Sequence, residues 1–423
     1  MKRFGDKLTV NAVALIVGTV ATNVLGLLFW GVAARTYSSS EVGGAFAEMS
    51  ALTLFASLSQ LNLANIFVRF LPAAGRFTGR FVRGGYSAVV GVALVVGVGV
   101  AVSGISSEVI APGAFAHVLF VVSVAMFALF ALQDAVMTAL RITHWVPIEN
   151  VTVAIAKLAL LPLLLFGASR TGIVVSWVIP TVLAVIVVTS LLFKRAIRTV
   201  SASAAGEVPT PRRLASFVAA EYMTNVIGIA STQVMPLIVV WKLGAAENAY
   251  FAIPWLACSA ISLVMWNVGV SFIVETVTAA EQSARLLRRS MQLWAAVLVG
   301  AMLGCLVIGP LVLPIVGHGY SSHGTTLLRL VGVAAPLQLV IVLYQAFTWL
   351  DQRVWLLLGI QAVTSSAFVL ISLAFISSAG LTGVGWAYLI TQAAQAIVMA
   401  PIVWGRITRI RLARTPIRLD RAV

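Results

Sequence analysis

Residues 114–140 form one apolar stretch, AFAHVLFVVSVAMFALFALQDAVMTAL, in which Asp134 is the single carboxylate. A helix needs about 20 apolar residues to cross the ~30 Å hydrocarbon core of a bilayer, so this stretch is long enough to span it. Backbone groups in lipid must find their hydrogen-bond partners inside the segment, and a segment of this length does so only as a helix. The stretch therefore predicts a transmembrane helix.

The rest of the chain repeats this pattern. Of its 423 residues, 61% are hydrophobic and 10% are charged, and the mean hydropathy is +1.04. Globular proteins are ~45–50% apolar and ~25% charged, so a water-soluble protein is excluded. The sequence predicts an all-α polytopic membrane protein with twelve transmembrane helices. The other eleven apolar runs lie near 11–34, 43–68, 85–104, 148–168, 172–193, 214–241, 248–275, 291–316, 325–350, 354–378 and 382–405.

The basic residues predict the orientation. Of the 28 lysines and arginines, 23 fall in alternate loops, and by the positive-inside rule these loops and both termini are cytoplasmic. The net charge of +15 is then a topology signal that also attracts anionic lipid headgroups, and no nucleic-acid partner is expected. We expect a multi-pass protein of the bacterial cytoplasmic membrane. The 23 residues lie in 1–7, 69–83, 141, 194–213, 285–289, 353 and 406–421.

The longest polar stretch between predicted spans, 194–213, has the small residues and prolines of a flexible linker. It predicts an N-terminal six-helix bundle over 1–193, a C-terminal one over 214–405 and a basic tail over 406–423. Because six is an even number, both halves have the same orientation, and we expect a parallel pseudo-two-fold repeat. Three pairs recur at offsets of 207, 206 and 205: Arg35 and Lys242, Glu41 and Glu247, Asn62 and Asn267.

Several local motifs resemble one transporter family. They are Gly26-Leu-Leu-Phe-Trp-Gly-Val-Ala-Ala-Arg35 with Tyr37, Glu41-Val-Gly43, Val68-Arg69-Phe-Leu-Pro72 and Gly383-Val-Gly385-Trp-Ala-Tyr-Leu. These motifs resemble the polysaccharide-exporter branch of the multidrug/oligosaccharidyl-lipid/polysaccharide (MOP) superfamily, which contains O-antigen flippases. The resemblance implies two six-helix bundles around a cavity that opens alternately to the two sides, and a lipid-linked saccharide as substrate. One departure is Leu61-Asn62-Leu63, where the family usually has Leu-Gly-Leu.

Lys157 is the most informative polar residue, because it lies near the middle of the predicted fifth span. A charge at the bilayer centre costs ~2.5–3.5 kcal/mol on insertion scales, so its presence requires a reason. One interpretation is an ion pair with Asp134 in the fourth span. The other is a cation that binds an anionic head group. The residues alone leave both open.

Other polar residues of the spans are weaker candidates. Arg35 and Arg329 lie near the predicted outer mouth, where they could assist an anion or simply snorkel to the surface. Asp134, Glu221 and Glu48 are the candidates for ion coupling. Glu149, Glu275 and Asp351 lie at predicted cytoplasmic helix ends, where we expect them to pair with arginines. The amides Asn23, Asn225, Gln233 and Gln338 suit either interhelical hydrogen bonds or a polar cavity.

The sequence argues against several chemistries. It contains no Gly-x-x-x-x-Gly-Lys-Ser/Thr motif for ATP, and His318 and His323 lack a third metal ligand nearby. We therefore expect no enzyme activity, no metal and no cofactor. The favoured function is a flippase for a polyprenyl-pyrophosphate-linked saccharide, with anionic lipids and the glycosyltransferases or polymerase of the same pathway as partners. The alternatives are a cation-coupled multidrug exporter and a non-transporting scaffold of envelope glycan assembly.

Overall fold

The computed structural model describes residues 2–104, 106–164, 169–201, 211–278, 283–351 and 353–412. Every long element in this part of the chain is a helix. The first group is α1 (Lys2–Thr36), α2 (Ser39–Ser59), α3 (Leu63–Phe70), α4 (Thr78–Ala101), α5 (Ser106–Val109), α6 (Ala114–Ala139), α7 (Trp145–Leu163), α8 (Arg170–Leu191) and α9 (Ile197–Ser201). The second group is α10 (Pro211–Leu243), α11 (Ala245–Thr278), α12 (Ser283–Leu303), α13 (Gly309–Val316), α14 (His318–Leu350) and α15 (Val354–Leu412).

The transmembrane helices match the predicted spans in number. Ten helices within the described residues are long and apolar enough to cross a membrane. One of these, Trp355–Arg409, has 55 residues and contains a non-helical backbone at Gly380 (φ 56°, ψ −138°), which divides it into two spans. With α1 the described part of the chain has twelve such helices, six on each side of residues 202–210. The predicted fold class is confirmed.

One predicted span, 43–68, is interrupted. Helix α2 ends at Ser59, and α3 begins at Leu63. Between them Leu61 and Asn62 have φ angles of 50° and 58°, in the left-handed region. Asparagine adopts this region more readily than most residues, which explains why Asn62 stands where the family usually has glycine. The Asn62 side-chain oxygen also accepts a hydrogen bond of 2.9 Å from the Asn65 amide.

The chain divides into two compact units, residues 1–249 and 250–423. The first includes α10, which packs on α2 and is fixed there by a 2.8 Å hydrogen bond from the Tyr222 hydroxyl to the Leu58 carbonyl oxygen. At the other end of α2, the Asn248 amide donates to the Gly43 carbonyl oxygen at 2.7 Å. The division into six-helix bundles at the 194–213 linker stays a prediction, and residues 202–210 of that linker lie outside the described residues.

Each unit has its own apolar core. In the first unit, the core joins α3, α4, α6 and α8 around the fully buried residues Phe67, Val82 and Leu132. In the second unit, Trp294 is fully buried against Phe272 and Phe347, and its indole nitrogen donates to the Met265 carbonyl oxygen at 3.0 Å. These cores fix the helices that carry the polar side chains considered below.

Candidate functional site

Helix α7 holds Lys157 inside the first unit. The side chain is buried, with 6% of the residue exposed. Helix α1 packs along α7, and Gly18 allows this close approach because a Cβ there would clash with Pro147. One turn beyond Lys157, the Tyr37 hydroxyl donates to the Leu161 carbonyl oxygen at 3.1 Å. Both ends of α7 are therefore tied to α1 and the turn that follows it.

Aromatic rings surround the Lys157 ammonium group. Its nitrogen lies 3.4 Å from the centre of the Trp177 ring on α8 and 5.9 Å from the centre of the Phe29 ring on α1. Both distances fall within the range of a cation–π interaction. Trp177 packs edge-on against Phe29 at 5.5 Å, and Trp30 and Phe46 extend the cluster with ring centres 5.0 Å apart. We call Phe29, Trp30, Phe46 and Trp177 the aromatic cage.

The structure does not contain the alternative ion pair between Lys157 and Asp134. Asp134 instead accepts hydrogen bonds from the Asn150 amide, at 3.2 Å on one oxygen and 3.5 Å on the other. No carboxylate of the described residues lies within 4.0 Å of the Lys157 nitrogen. Asn150 and Lys157 lie seven residues apart on α7. Asn150 is the residue of α7 that donates to Asp134, so Asp134 does not pair with Lys157.

Glu48 is a buried acid that forms an ion pair with the half-buried Arg170. Its carboxylate, on a residue that is 1% exposed, lies 3.0 Å from the Arg170 guanidinium nitrogen. The same carboxylate oxygen accepts a hydrogen bond of 3.3 Å from the Ala111 backbone nitrogen, and Arg170 also donates to the Val109 carbonyl oxygen. Glu48 therefore joins α2, α8 and the segment before α6. Its predicted role in ion coupling stays a prediction.

The acids at the predicted cytoplasmic helix ends have different environments. Asp351 is paired with Arg406, as predicted, with one hydrogen bond of 2.9 Å. Glu275 accepts a hydrogen bond of 3.3 Å from the Ser271 hydroxyl. The predicted pairing of Glu149 with an arginine is wrong, since Glu149 is buried and neither carboxylate oxygen has a hydrogen-bond partner among the described residues. The orientation of α7 about its axis points Glu149 into the protein instead of toward the loop.

The remaining predicted residues differ in exposure and in hydrogen bonding. Arg35 is exposed at the end of α1, and Arg329 is exposed on α14 of the second unit. Asn23 donates to the Thr19 carbonyl oxygen of its own helix at 2.8 Å, and Gln338 donates to the Ser262 hydroxyl. Asn225 is exposed, Gln233 is half-buried, and the Glu221 side chain lies outside the described residues. These assignments stay predictions.

Two sets of residues were not predicted from the sequence. The first is the aromatic cage, and the second is Arg170 as the partner of Glu48. A charge inside a span calls for a partner or a polar cavity, and Trp177 on the next span was a candidate for Lys157. No spacing rule identifies Arg170, because Glu48 lies 122 residues away in the chain.

Comparisons with known proteins give similarity at the level of structure. No protein-family model matches the sequence, and no curated protein matches it. An inward-facing multidrug resistance transporter of the MATE family, in the MOP superfamily, has a TM-score of 0.65 at 14% identity, over 92% of this chain and 95% of that chain. The MATE multidrug transporter DinF-BH has a TM-score of 0.63 at 14% identity, over 96% of both chains.

A flippase shows comparable similarity. The lipid II flippase MurJ, in an inward closed conformation, has a TM-score of 0.62 at 11% identity, over 96% of this chain and 90% of that chain. The chain therefore has the fold of MOP-superfamily transporters, as the sequence motifs implied. Identities this low show the fold alone. Because drug transporters and a lipid flippase share that fold, the choice between them depends on the chemistry of this chain's own side chains.

Proposed function

We propose that the protein is a secondary transporter of the MOP type that flips a polyprenyl-pyrophosphate-linked oligosaccharide or polysaccharide precursor from the cytoplasmic to the outer leaflet of the bacterial cytoplasmic membrane. The observation that carries the proposal is the burial of Lys157 on α7 without a carboxylate within 4.0 Å among the described residues. The similarity in fold to MATE transporters and to MurJ supports a transporter.

An anionic head group complements Lys157 in charge. Phe29 and Trp177 of the aromatic cage stabilise the ammonium group by about 2 kcal/mol or more for a desolvated ring contact, but they supply no negative charge. A pyrophosphate would supply that charge together with strong hydrogen-bond acceptors. A cationic drug would instead be repelled by Lys157. The side chain therefore favours an anionic substrate over a cationic one.

Transport of such a substrate does not require ATP. With the cytoplasm negative, each negative charge that moves outward is favoured by ~2.3 kcal/mol per 100 mV. Arg35 and Arg329 would assist the anion near the outer mouth, and rocking of the helices between inward- and outward-open states would carry it across. Glycosyltransferases or a polymerase of the same pathway would supply and consume the lipid-linked saccharide.

A second candidate is a cation-coupled multidrug exporter. The MATE transporters that share the fold support it, and so do the half-buried Asp134 and the buried Glu149, since coupling to a cation requires an acid inside the protein. The two candidates differ in the charge of the substrate, which a transport assay measures directly.

The experiment reconstitutes the purified protein into liposomes and follows a fluorescent lipid-linked oligosaccharide from one leaflet to the other. We expect Lys157→Ala to lower the flipping rate at least tenfold and Lys157→Arg to retain part of it, because arginine keeps the charge but not the compact ammonium geometry. The matched control is Lys242→Ala. Lys242 lies 3.8 Å from the centre of the Trp241 ring, but it is exposed.

The control variant should flip the lipid at the wild-type rate. Unchanged flipping by Lys157→Ala, at equal protein level and thermal stability, would exclude Lys157 from the substrate path. Export of a cationic dye by the wild-type protein, with no movement of the lipid-linked saccharide, would instead establish the multidrug exporter.

A further inference from the structure

Glu149 on α7 has a buried carboxyl group that the transport proposal does not use. The residue is 7% exposed, and neither of its oxygens has a hydrogen-bond partner in the described part of the chain. The hydroxyl group of Tyr86 on α4 is also buried without a hydrogen-bond partner there, on a residue that is 7% exposed as well. Buried polar atoms almost always have partners, so two unpartnered groups near one another require an explanation.

The surroundings of Glu149 supply one negative charge and no positive one among the described residues. Asp134 on α6 is close enough to interact electrostatically with both Glu149 and Tyr86. The Asn150 amide donates to Asp134 and leaves Glu149 without a donor. On the α8 side, the neighbouring residues Pro180, Leu183, Ala184, Val187 and Val188 carry no ionisable group. His144 is exposed at the start of α7, and Arg195 donates no hydrogen bond to Glu149.

This arrangement is costly for an ionised carboxylate. A buried charge without a donor or a counter-ion costs several kcal/mol, and a second carboxylate nearby increases that cost. Protonation removes the charge, and two adjacent acids then share one proton. Of the two, Asp134 keeps the negative charge, since it has the amide donor that stabilises an anion.

An open groove borders Glu149, because its lining residues Ile148, Leu183 and Val187 are exposed. It has a volume of about 350 Å³ and lies between α7 and α8, with Glu149 and Thr152 among mostly apolar lining residues. A second cavity of about 350 Å³ shares Trp145, Val188 and Leu191 with the first and extends to Arg195. The two therefore lie next to each other along α8, toward the end of that helix that we predict to face the cytoplasm.

We propose that Glu149 is a proton-binding site of the first unit: it holds a proton in this conformation, with Asp134 as its ionised neighbour and the unpartnered Tyr86 hydroxyl close by, beside the α7–α8 groove. The site does not depend on the identity of the transported substrate. It goes beyond the proposed function by identifying where a proton would enter a transport cycle.

The test labels the full-length protein in detergent with dicyclohexylcarbodiimide, an apolar reagent that reacts with protonated carboxyl groups in apolar surroundings. Peptide mass spectrometry then measures the modified fraction of each acidic residue as the pH is raised. We expect Glu149 to be labelled at neutral pH and to lose labelling at higher pH as its proton dissociates. Glu48 is the internal control, because it is equally buried but ion-paired with Arg170 and should stay unlabelled.

Two variants sharpen the result. Asp134→Asn removes the neighbouring negative charge, so Glu149 should lose its proton more easily and the labelling midpoint should move to lower pH. Glu149→Gln resembles the protonated acid, so it should fold with unchanged thermal stability and lack the label. Absence of labelling at Glu149 in the wild-type protein, or labelling that does not change with pH, would overturn the proposal. Suppression of labelling by sodium at constant pH would overturn it too, since the site would then bind a metal cation.

Discussion

The ammonium nitrogen of Lys157 lies 3.4 Å from the centre of the Trp177 ring, across the interface of two helices that are consecutive in the chain. The contact stabilises a cation at a place where the described residues supply no carboxylate within 4.0 Å. Because aromatic faces attract a cation without neutralising it, a charged Lys157 would still lack a counter-charge, which under the proposed function an anionic head group supplies.

The first prediction measures this contact by a double-mutant cycle. Lys157→Met, Trp177→Leu and the double variant should give a coupling free energy of unfolding of about 2 kcal/mol, as expected for a desolvated cation–π contact. The exposed pair Lys242 and Trp241 is the matched control, and its cycle should give less than about 1 kcal/mol. Thermal or denaturant unfolding in detergent measures both cycles. Equal coupling energies in the two cycles would show that burial adds nothing to the contact.

The second prediction concerns the ion pair of Glu48 and Arg170. Arg170→Met should lower the free energy of unfolding by about 3–5 kcal/mol, because it leaves a buried carboxylate without its counter-charge. The double variant Glu48→Leu with Arg170→Met removes both charges and should recover most of that loss. Unfolding in denaturant, followed by tryptophan fluorescence, measures the difference. A double variant as unstable as Arg170→Met alone would show that the loss comes from packing and not from charge.

The apolar runs predicted the twelve helices because, in lipid, a single segment can satisfy its backbone hydrogen bonds only as a helix. The same reasoning identified Lys157, since a charge inside a span is costly enough to be informative. It could not identify the aromatic cage, because contact between Lys157 and Trp177 depends on how α7 and α8 are rotated about their axes. Glu149 illustrates the same limit: its position near a helix end suggested an arginine partner, and the rotation of α7 buries it instead.

The apolar pattern of the sequence also could not predict the interruption between α2 and α3. A window of hydropathy averages over Leu61 and Asn62, and it cannot register a turn of three residues. A different feature of the sequence did indicate the turn. The motif that the sequence resembles has glycine where this chain has Asn62, and glycine is typical of a positive φ angle. The structure connects the two observations through the φ angle of 58° at Asn62.

The third prediction tests that backbone conformation. Asn62→Gly should change the free energy of unfolding by only a few tenths of a kcal/mol, because glycine adopts the left-handed region without strain. Asn62→Ala should lower it by about 1–2 kcal/mol, since a Cβ is unfavourable there. The control is Asn65→Ala, which removes the side chain that donates to Asn62 but leaves the positive φ angle in place. If Asn62→Gly were as destabilising as Asn62→Ala, the side-chain hydrogen bond, and not the backbone, would determine the choice of residue.

The last prediction tests the orientation that the basic loops indicate. Ser107 lies on the exposed face of the short helix α5, in a loop that the charge pattern places outside the cell, whereas the linker 194–213 should be cytoplasmic. In intact cells a membrane-impermeant maleimide should therefore modify Ser107→Cys, and it should modify Ser203→Cys only after permeabilisation. The native thiols Cys258 and Cys305 are both buried, so their background labelling should be low. Labelling of Ser203→Cys in intact cells, with protection of Ser107→Cys, would reverse the orientation. An anion that left the side of the basic loops would then move inward, and the membrane potential would oppose that movement.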